Sequence, residues 1–259
     1  MKFIHITDTH LTEPGKRLYE LDPLDRLELA IEDINRFHSD AAFAIVTGDL
    51  AHVGEIAAYR ALRGALANLR LKTHLLLGNH DNRVNFLEVF PESPLDTDGF
   101  VQFAFDTPVG RFICLDSNEP KVSWGVLCDR RLAWLQTELG RAGGRPVYLF
   151  MHHPAFPVDL RRMDEISLQQ PEKFAAVVAG HDIRHFFFGH LHRPIAGSWR
   201  GIPFTTMRGT NHQVAFDLVT ERVVPGSHEP PAYAVVMTGG ELTVVHFHDY
   251  LDKTNTFIL

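Results

Sequence analysis

The sequence predicts an α/β fold with two β-sheets and helices on their outer faces. Short apolar runs alternate with segments of helical periodicity as far as residues 185–188, and a run of strands follows. Five clusters of acids, histidines and asparagine also fall just after predicted strands, where α/β sheets assemble their sites.

Residues 2–6 read as a strand, followed by a loop to Leu21. Asp22-Pro23 opens a helix, with Asp as N-cap and Pro at its first position. Leu24, Leu27, Ile31 and Ile34 then share one face. A buried strand over 42–46 ends in Thr47-Gly48-Asp49, and a helix covers 55–67 with Ile56, Tyr59, Leu62, Ala65 and Leu66 near one face. A strand over 73–77 ends in Gly78-Asn79-His80-Asp81, and a short helix covers 83–90.

Strands over 100–105 and 111–115 are joined through Thr107-Pro108-Val109-Gly110, and Asp129 caps a helix to about Arg141. A strand over 147–151 ends in His152-His153-Pro154. A helix near 171–179 precedes a strand over 185–188, which ends in Gly189-His190-Leu191-His192. Strands are expected over 195–199, 203–207, 212–218, 232–237 and 242–247, with a loop over 225–231. The apolar run 232–237 fits either the core or an interface between copies, so a homo-oligomer is a possible state. With no repeat, low-complexity stretch or linker, one domain is expected over 1–259, its core about 1–215 and its C-terminal strands and tail 216–259.

Of the 259 residues, 45% are apolar, enough for a sizeable core, and net charge is −7. There is no Lys/Arg-rich run, so binding of long nucleic acid is not favoured. A small anionic substrate remains open if cations supply the positive charge. Cys114 and Cys128 form no C-x-x-C pair, which suits a reducing compartment. No apolar stretch is long enough to cross a membrane. Met1-Lys2 leads straight into the first strand, and cleavage of a leader would remove Asp8 and His10. A cytoplasmic protein is therefore expected.

The chemistry lies in Asp8-x-His10, Gly48-Asp49, Gly78-Asn79-His80-Asp81, His152-His153 and Gly189-His190-x-His192. Carboxylate, imidazole and amide donors without thiolate suit Mn, Fe, Co or Zn. If extended, Asp8 and His10 point the same way, as do His190 and His192. Glycines 48, 78 and 189 allow close backbone approach. Asp49 is the candidate bridge between two cations, because a carboxylate can give one oxygen to each. Each cluster alone reads as a turn or a surface pair; the five together, in order, do not.

This ordered set resembles the calcineurin-like metallophosphoesterase superfamily over residues 1 to about 215. The resemblance implies an αββα sandwich of two mixed β-sheets flanked by helices. It implies one divalent metal ion on Asp8, His10, Asp49 and His192, and a second on Asp49, Asn79, His152 and His190. The chain departs from protein Ser/Thr phosphatases, which carry Asp-Arg-Gly after the bridging aspartate and Glu after Gly-Asn-His. It also departs from purple acid phosphatases, which place a ligand Tyr where this chain has His52.

It is most similar to bacterial class III cyclic-nucleotide phosphodiesterases and glycerophosphodiesterases, through Ile6-Thr7-Asp8-Thr9-His10, Leu18-Tyr19, Phe150-Met151-His152-His153-Pro154 and Gly209-Thr210-Asn211-His212-Gln213-Val214. That likeness implies hydrolysis of small phosphodiesters by hydroxide held at the two metals. It also implies substrate contacts from Asn79, His80, Ser123 and His212.

His80 is expected to protonate the leaving oxygen or to stabilise the transition state. Asp81 would orient His80 or support the sheet end. His153 is expected to face packing or solvent, and His52 is left between loop and site. His5 and His185 read as core residues, His246 and His248 as a half-exposed face, and Arg208 as a salt-bridge partner rather than a phosphate ligand. A nuclease or phosphomonoesterase of the same fold is the alternative, and a scaffold without metals is the third reading.

Overall fold

The computed structural model describes residues 1–220, 222–252 and 257–258. Its strands are β1 (Lys2–Ile6), β2 (Ala44–Thr47), β3 (Thr73–Leu76), β4 (Phe103–Thr107), β5 (Gly110–Cys114), β6 (Val147–Met151), β7 (Ile183–Phe188), β8 (Ile195–Trp199), β9 (Ile202–Thr206), β10 (Gln213–Val214), β11 (Gly226–Ser227), β12 (Tyr233–Gly239) and β13 (Leu242–His248). The helices are α1 (Pro23–Phe37), α2 (Ile56–Leu66), α3 (Arg83–Val89), α4 (Asp129–Ala142), α5 (Arg161–Asp164) and α6 (Pro171–Val178).

Two mixed sheets stack. One runs β13-β12-β1-β2-β3, the other β4-β5-β6-β7-β9-β8. Strand alternation divides each central strand between two cores. On β6, Tyr148 and Phe150 face the space between the sheets, while Val147, Leu149 and Met151 pack outward among Leu132, Leu135 and Leu139 of α4 and Phe174 of α6. On β7, Phe187 turns inward, and Phe186 and Phe188 turn outward. Phe3 meets Phe112, Phe150 and Phe187 edge-on at 5.4, 5.9 and 5.6 Å, so aromatic packing joins the sheets.

The αββα sandwich and most elements lie where expected, with instructive differences. The side chain of Asp22 accepts from the N–H groups of Leu24 and Asp25, as its cap role requires. The N-cap of α4 is Cys128, with Asp129 inside the first turn. The expected strand over 212–218 shrinks to β10, paired with β11, which lies inside the expected loop 225–231. Residues 233–237 of the run 232–237 belong to β12, between β1 and β13, and all but Met237 are buried. Residues 253–256 and 259 of the tail lie outside the described residues.

The parallel strands β1, β2, β6 and β7 all end at one rim. There the two sheets touch through Gly189, just after β7. A Cβ on Gly189 would overlap Thr7 Oγ1 and sit 3.0 Å from the Thr47 carbonyl and 3.1 Å from Asp8 Oδ2. Gly189→Ala should therefore cost about 1–3 kcal/mol by overpacking, read as a lower urea midpoint with an unchanged m-value.

Candidate metal centre

The chain leaves its strands at this rim in the left-handed region. Asp8 (φ 53°), His10 (φ 45°), Asp49 (φ 49°), His190 (φ 69°) and His192 (φ 48°) all have positive φ. Non-glycine residues rarely adopt this conformation, and it concentrates at functional sites. The two pairs thus point together by sharing a left-handed turn, not by extension as expected. Gly78 makes the same crowding possible on β3, since a Cβ there would lie 2.5 Å from Asp49 N and 2.7 Å from the His152 ring.

The side chains form two clusters. His10 Nε2 lies 3.1 Å from His192 Nε2, and His192 Nε2 lies 3.2 Å from Asp8 Oδ1. Asp49 Oδ2 lies 3.5 Å from His10 Nε2 on one side and 3.3 Å from His152 Nε2 on the other. His190 stands edge-on to His152, their ring centroids 5.1 Å apart. A tetrahedral cation with bonds of ~2.0–2.1 Å sets its donor atoms roughly 3.3 Å apart, so these spacings suit one. Asp49 Oδ2 is the atom the clusters share.

Several of these donors are poised and unspent. Asn79 Oδ1, His152 Nε2 and His190 Nε2 are buried without a hydrogen-bond partner, a state that costs free energy unless something fills it. Nδ1 of His152 donates to the Thr47 carbonyl at 2.7 Å, and Nδ1 of His192 donates to the His212 carbonyl at 2.8 Å. Each carbonyl fixes a tautomer whose Nε2 lone pair faces the cluster. The residues therefore fit a pair of divalent cations.

Electrostatics agree with a cation site. Burial opposes the negative charge on Asp49, but His152, His80 and His10 outweigh it and hold its carboxyl well below the usual range. Burial pushes the His152 imidazolium down, yet the negative charge of Asp49, 3.3 Å away, wins and raises it to about 9. His190 is pushed down to about 3 by burial and by its neighbour His152. His192 is raised as well, Asp8 and its hydrogen bonds outweighing burial, so both clusters favour positive charge.

The clusters open into a cleft of about 600 Å³, a size typical of small-ligand sites. His80, Asn79, Ser123 and His212 line it beside His10, Asp49, His190 and His192. His80 and His212 flank the His10 ring at centroid distances of 4.7 and 4.9 Å. Of the two roles expected for Asp81, orienting His80 or supporting the sheet end, the geometry fits the second. Its two oxygens accept from the N–H groups of Leu50, Ala51 and Gly78 and from the Tyr59 hydroxyl, at 2.9–3.1 Å. With four donors satisfied and the side chain behind the cleft, Asp81 ties the β2 and β3 loops together and does not orient the His80 ring.

Residues 1–194 match the calcineurin-like phosphoesterase family. The chain belongs to that family. It is 50% identical over 250 residues to a probable cyclic nucleotide phosphodiesterase of Rhodopseudomonas palustris, covering 95% of this chain and 91% of the relative. A cAMP/cGMP dual specificity phosphodiesterase of Mycobacterium tuberculosis is 33% identical over 217 residues, 80% of this chain and 66% of that one. A dimetal phosphatase from Danio rerio shares the fold, with a TM-score of 0.66 at 19% identity over 94% of this chain and 98% of that one.

Two histidines of this phosphoesterase exceed their expected roles. His153 is buried, bonded through Nδ1 to Ser117 Oγ, and its unpaired Nε2 joins His152 and His190. The chain has left β6 before His152, so strand alternation no longer turns His153 away. His52 accepts the His80 Nδ1 proton on its carbonyl, stacks on the His80 ring and reaches His10 Nδ1 at 3.2 Å. Its only signal in the sequence was its place three residues after Asp49. His5 and His185 do hydrogen-bond threonines in the core, and Arg208 pairs with Asp249.

Because a cation must displace the His152 proton, metal affinity of the chelated protein should rise with pH. About tenfold tighter binding per unit is expected between pH 7 and 8.5, flattening above about 9. Isothermal titration with Mn²⁺ across that range, with proton release counted by buffer variation, checks this.

Proposed function

We propose that this phosphoesterase is a phosphodiesterase acting on small diesters, with cyclic nucleotides as the leading substrate class and glycerophosphodiesters as the neighbouring one. The observation that carries the reading is Asp49 Oδ2 lying between two imidazole clusters at 3.5 and 3.3 Å, beneath a cleft of small-ligand size. The names of its relatives at 50% and 33% identity support the diester. The net charge of −7 speaks against a nuclease acting on long polyanions.

In this reading Asp8, His10, Asp49 and His192 hold one cation, and Asp49, Asn79, His152 and His190 hold the other. Mn, Fe, Co or Zn would suit these nitrogen and oxygen donors. When bound, the pair supplies water activation near neutral pH and neutralises charge developing on the phosphoryl oxygens. Free Cys114 and Cys128 support a reducing, cytoplasmic setting.

The two histidines on the cleft wall have different duties, set by hydrogen-bond polarity. His80 Nδ1 faces the His52 carbonyl at 2.6 Å and must donate to it. That leaves Nε2 as the His80 atom that meets a departing alkoxide, and to give it a proton the ring must enter the step protonated on both nitrogens and leave it neutral. His212 Nδ1 meets the Asn211 amide nitrogen at 3.3 Å and accepts from it. The ring, held neutral by burial, thus carries its proton on Nε2 as a donor to a phosphoryl oxygen. Ser123 lines the same cleft and serves as a further hydrogen-bonding group for substrate.

Hydrolysis of bis(p-nitrophenyl) phosphate beside p-nitrophenyl phosphate, after chelation and after adding Mn²⁺, tests the reading. Metal-dependent turnover favouring the diester is expected; preference for the monoester would make the chain a phosphatase of the same fold. A finer outcome follows from the histidine roles. His80→Ala should keep its metals but lose about 10²–10⁴-fold in kcat on 3′,5′-cyclic AMP, and far less on the p-nitrophenyl diester, whose leaving group needs no proton. Equal losses on both, or loss of metal, would refute the proton-transfer role.

A further inference from the structure

The cleft has a second wall that phosphate chemistry does not use. Met163 of α5, Ile166, Val214 of β10 and Val224 line the same cleft as the histidines. This wall is built into the site and does not merely lie beside it. Met163 and Val214 are buried together with Leu160 and Leu191, and Leu191 stands between His190 and His192. Arg193, the next residue after His192, donates to the Val214 carbonyl at 2.7 Å and to Glu229 at 3.0 Å. The β10–β11 hairpin is closed by the bond from Ala215 N to the Pro225 carbonyl at 2.8 Å. The apolar wall is thus held to the same loop that carries two of the proposed metal ligands.

The four side chains of this wall offer no hydrogen-bonding group. Of the polar residues beside it, Gln213 and Ser227 spend their side chains inside the hairpin: Gln213 bonds both backbone groups of Gly209, and Ser227 Oγ accepts from Glu229 N. Tyr19 and the exposed His228 also line the cleft. A polyhydroxylated substituent placed against the four apolar side chains would lose water without gaining partners from them. A flat heteroaromatic ring would instead cover exposed aliphatic surface, for Val224 is 40% exposed. Apolar pockets with few polar groups are where such rings settle.

Resting on the phosphodiesterase reading, we infer that Met163, Ile166, Val214 and Val224 form the subsite for the base of a nucleoside cyclic phosphate, and that this wall sets the preference for cyclic nucleotides over glycerol diesters. The phosphate is held at the histidine wall, and the base packs on the aliphatic wall.

The test compares kcat/KM for 3′,5′-cyclic AMP and for glycerophosphoglycerol, which carries the same single negative charge, using Mn²⁺-loaded enzyme. The wild-type chain should favour the cyclic nucleotide. Val224→Asn, a neutral change at an exposed position, should lower that selectivity ratio about tenfold, mainly through KM for the nucleotide. Ile166→Ala, which introduces no polar group and keeps the fold, should lower it about threefold. Ratios unchanged in both variants would overturn the inference. So would a wild-type enzyme that hydrolyses bis(p-nitrophenyl) phosphate but prefers the glycerol diester, with the diesterase chemistry left standing. Failure to hydrolyse any diester would sink the phosphodiesterase reading, and the subsite with it.

Discussion

Asp49 is buried to 2% exposure with its carboxylate ionised, pressed between histidines that belong to different sheets. A buried carboxylate costs several kcal/mol unless opposite charge and hydrogen bonds offset it. Here the neighbouring histidines outweigh that cost. His80 N donates to Oδ1 at 2.9 Å, while Oδ2 faces the imidazole nitrogens of His10 and His152. Asp49 in turn holds the His152 imidazolium up to about 9, a positive charge whose place a cation would take. The rim of the sandwich is organised around this one crowded oxygen.

The demands of that crowding reach outward. Five residues of the two clusters accept left-handed backbone, a strain persisting only where the surroundings over-determine it. The surroundings are the stacked Phe core beneath, the carbonyls of Thr47 and His212 that orient two rings, and the Asp81 carboxylate that gathers three backbone N–H groups from two loops. Asp81 is pushed up to about 6 by burial first and by Asp49 second, the mark of an acid placed for structure at an electrostatic cost. The same rim supports the substrate side. His80 hangs on the His52 carbonyl, His212 on Asn211, and the apolar wall on Leu191 and Arg193.

Much of this was legible in the sequence because periodicity and position carry it. Short continuous apolar runs marked the central strands, and the Asp22-Pro23 signal marked α1. The acids and histidines at strand ends marked the site. What the sequence hid depended on backbone geometry after the strands. Alternation predicted that His153 turns away, but the chain has already left β6, and the ring turns inward. Asp81 sits beside His80 in sequence and yet faces the opposite way, because a tight turn follows Gly78. The β10–β11 hairpin was invisible because each strand has only two residues, too few for a pattern.

The central claim is that Asp49 bridges two cations held by the two histidine clusters. Crystals grown with Mn²⁺ and measured by anomalous diffraction test it most directly. The account predicts two anomalous peaks about 3.5–4 Å apart, one beside Asp8, His10 and His192 and one beside Asn79, His152 and His190, with Asp49 between them. A single peak, or peaks away from Asp49, would contradict it.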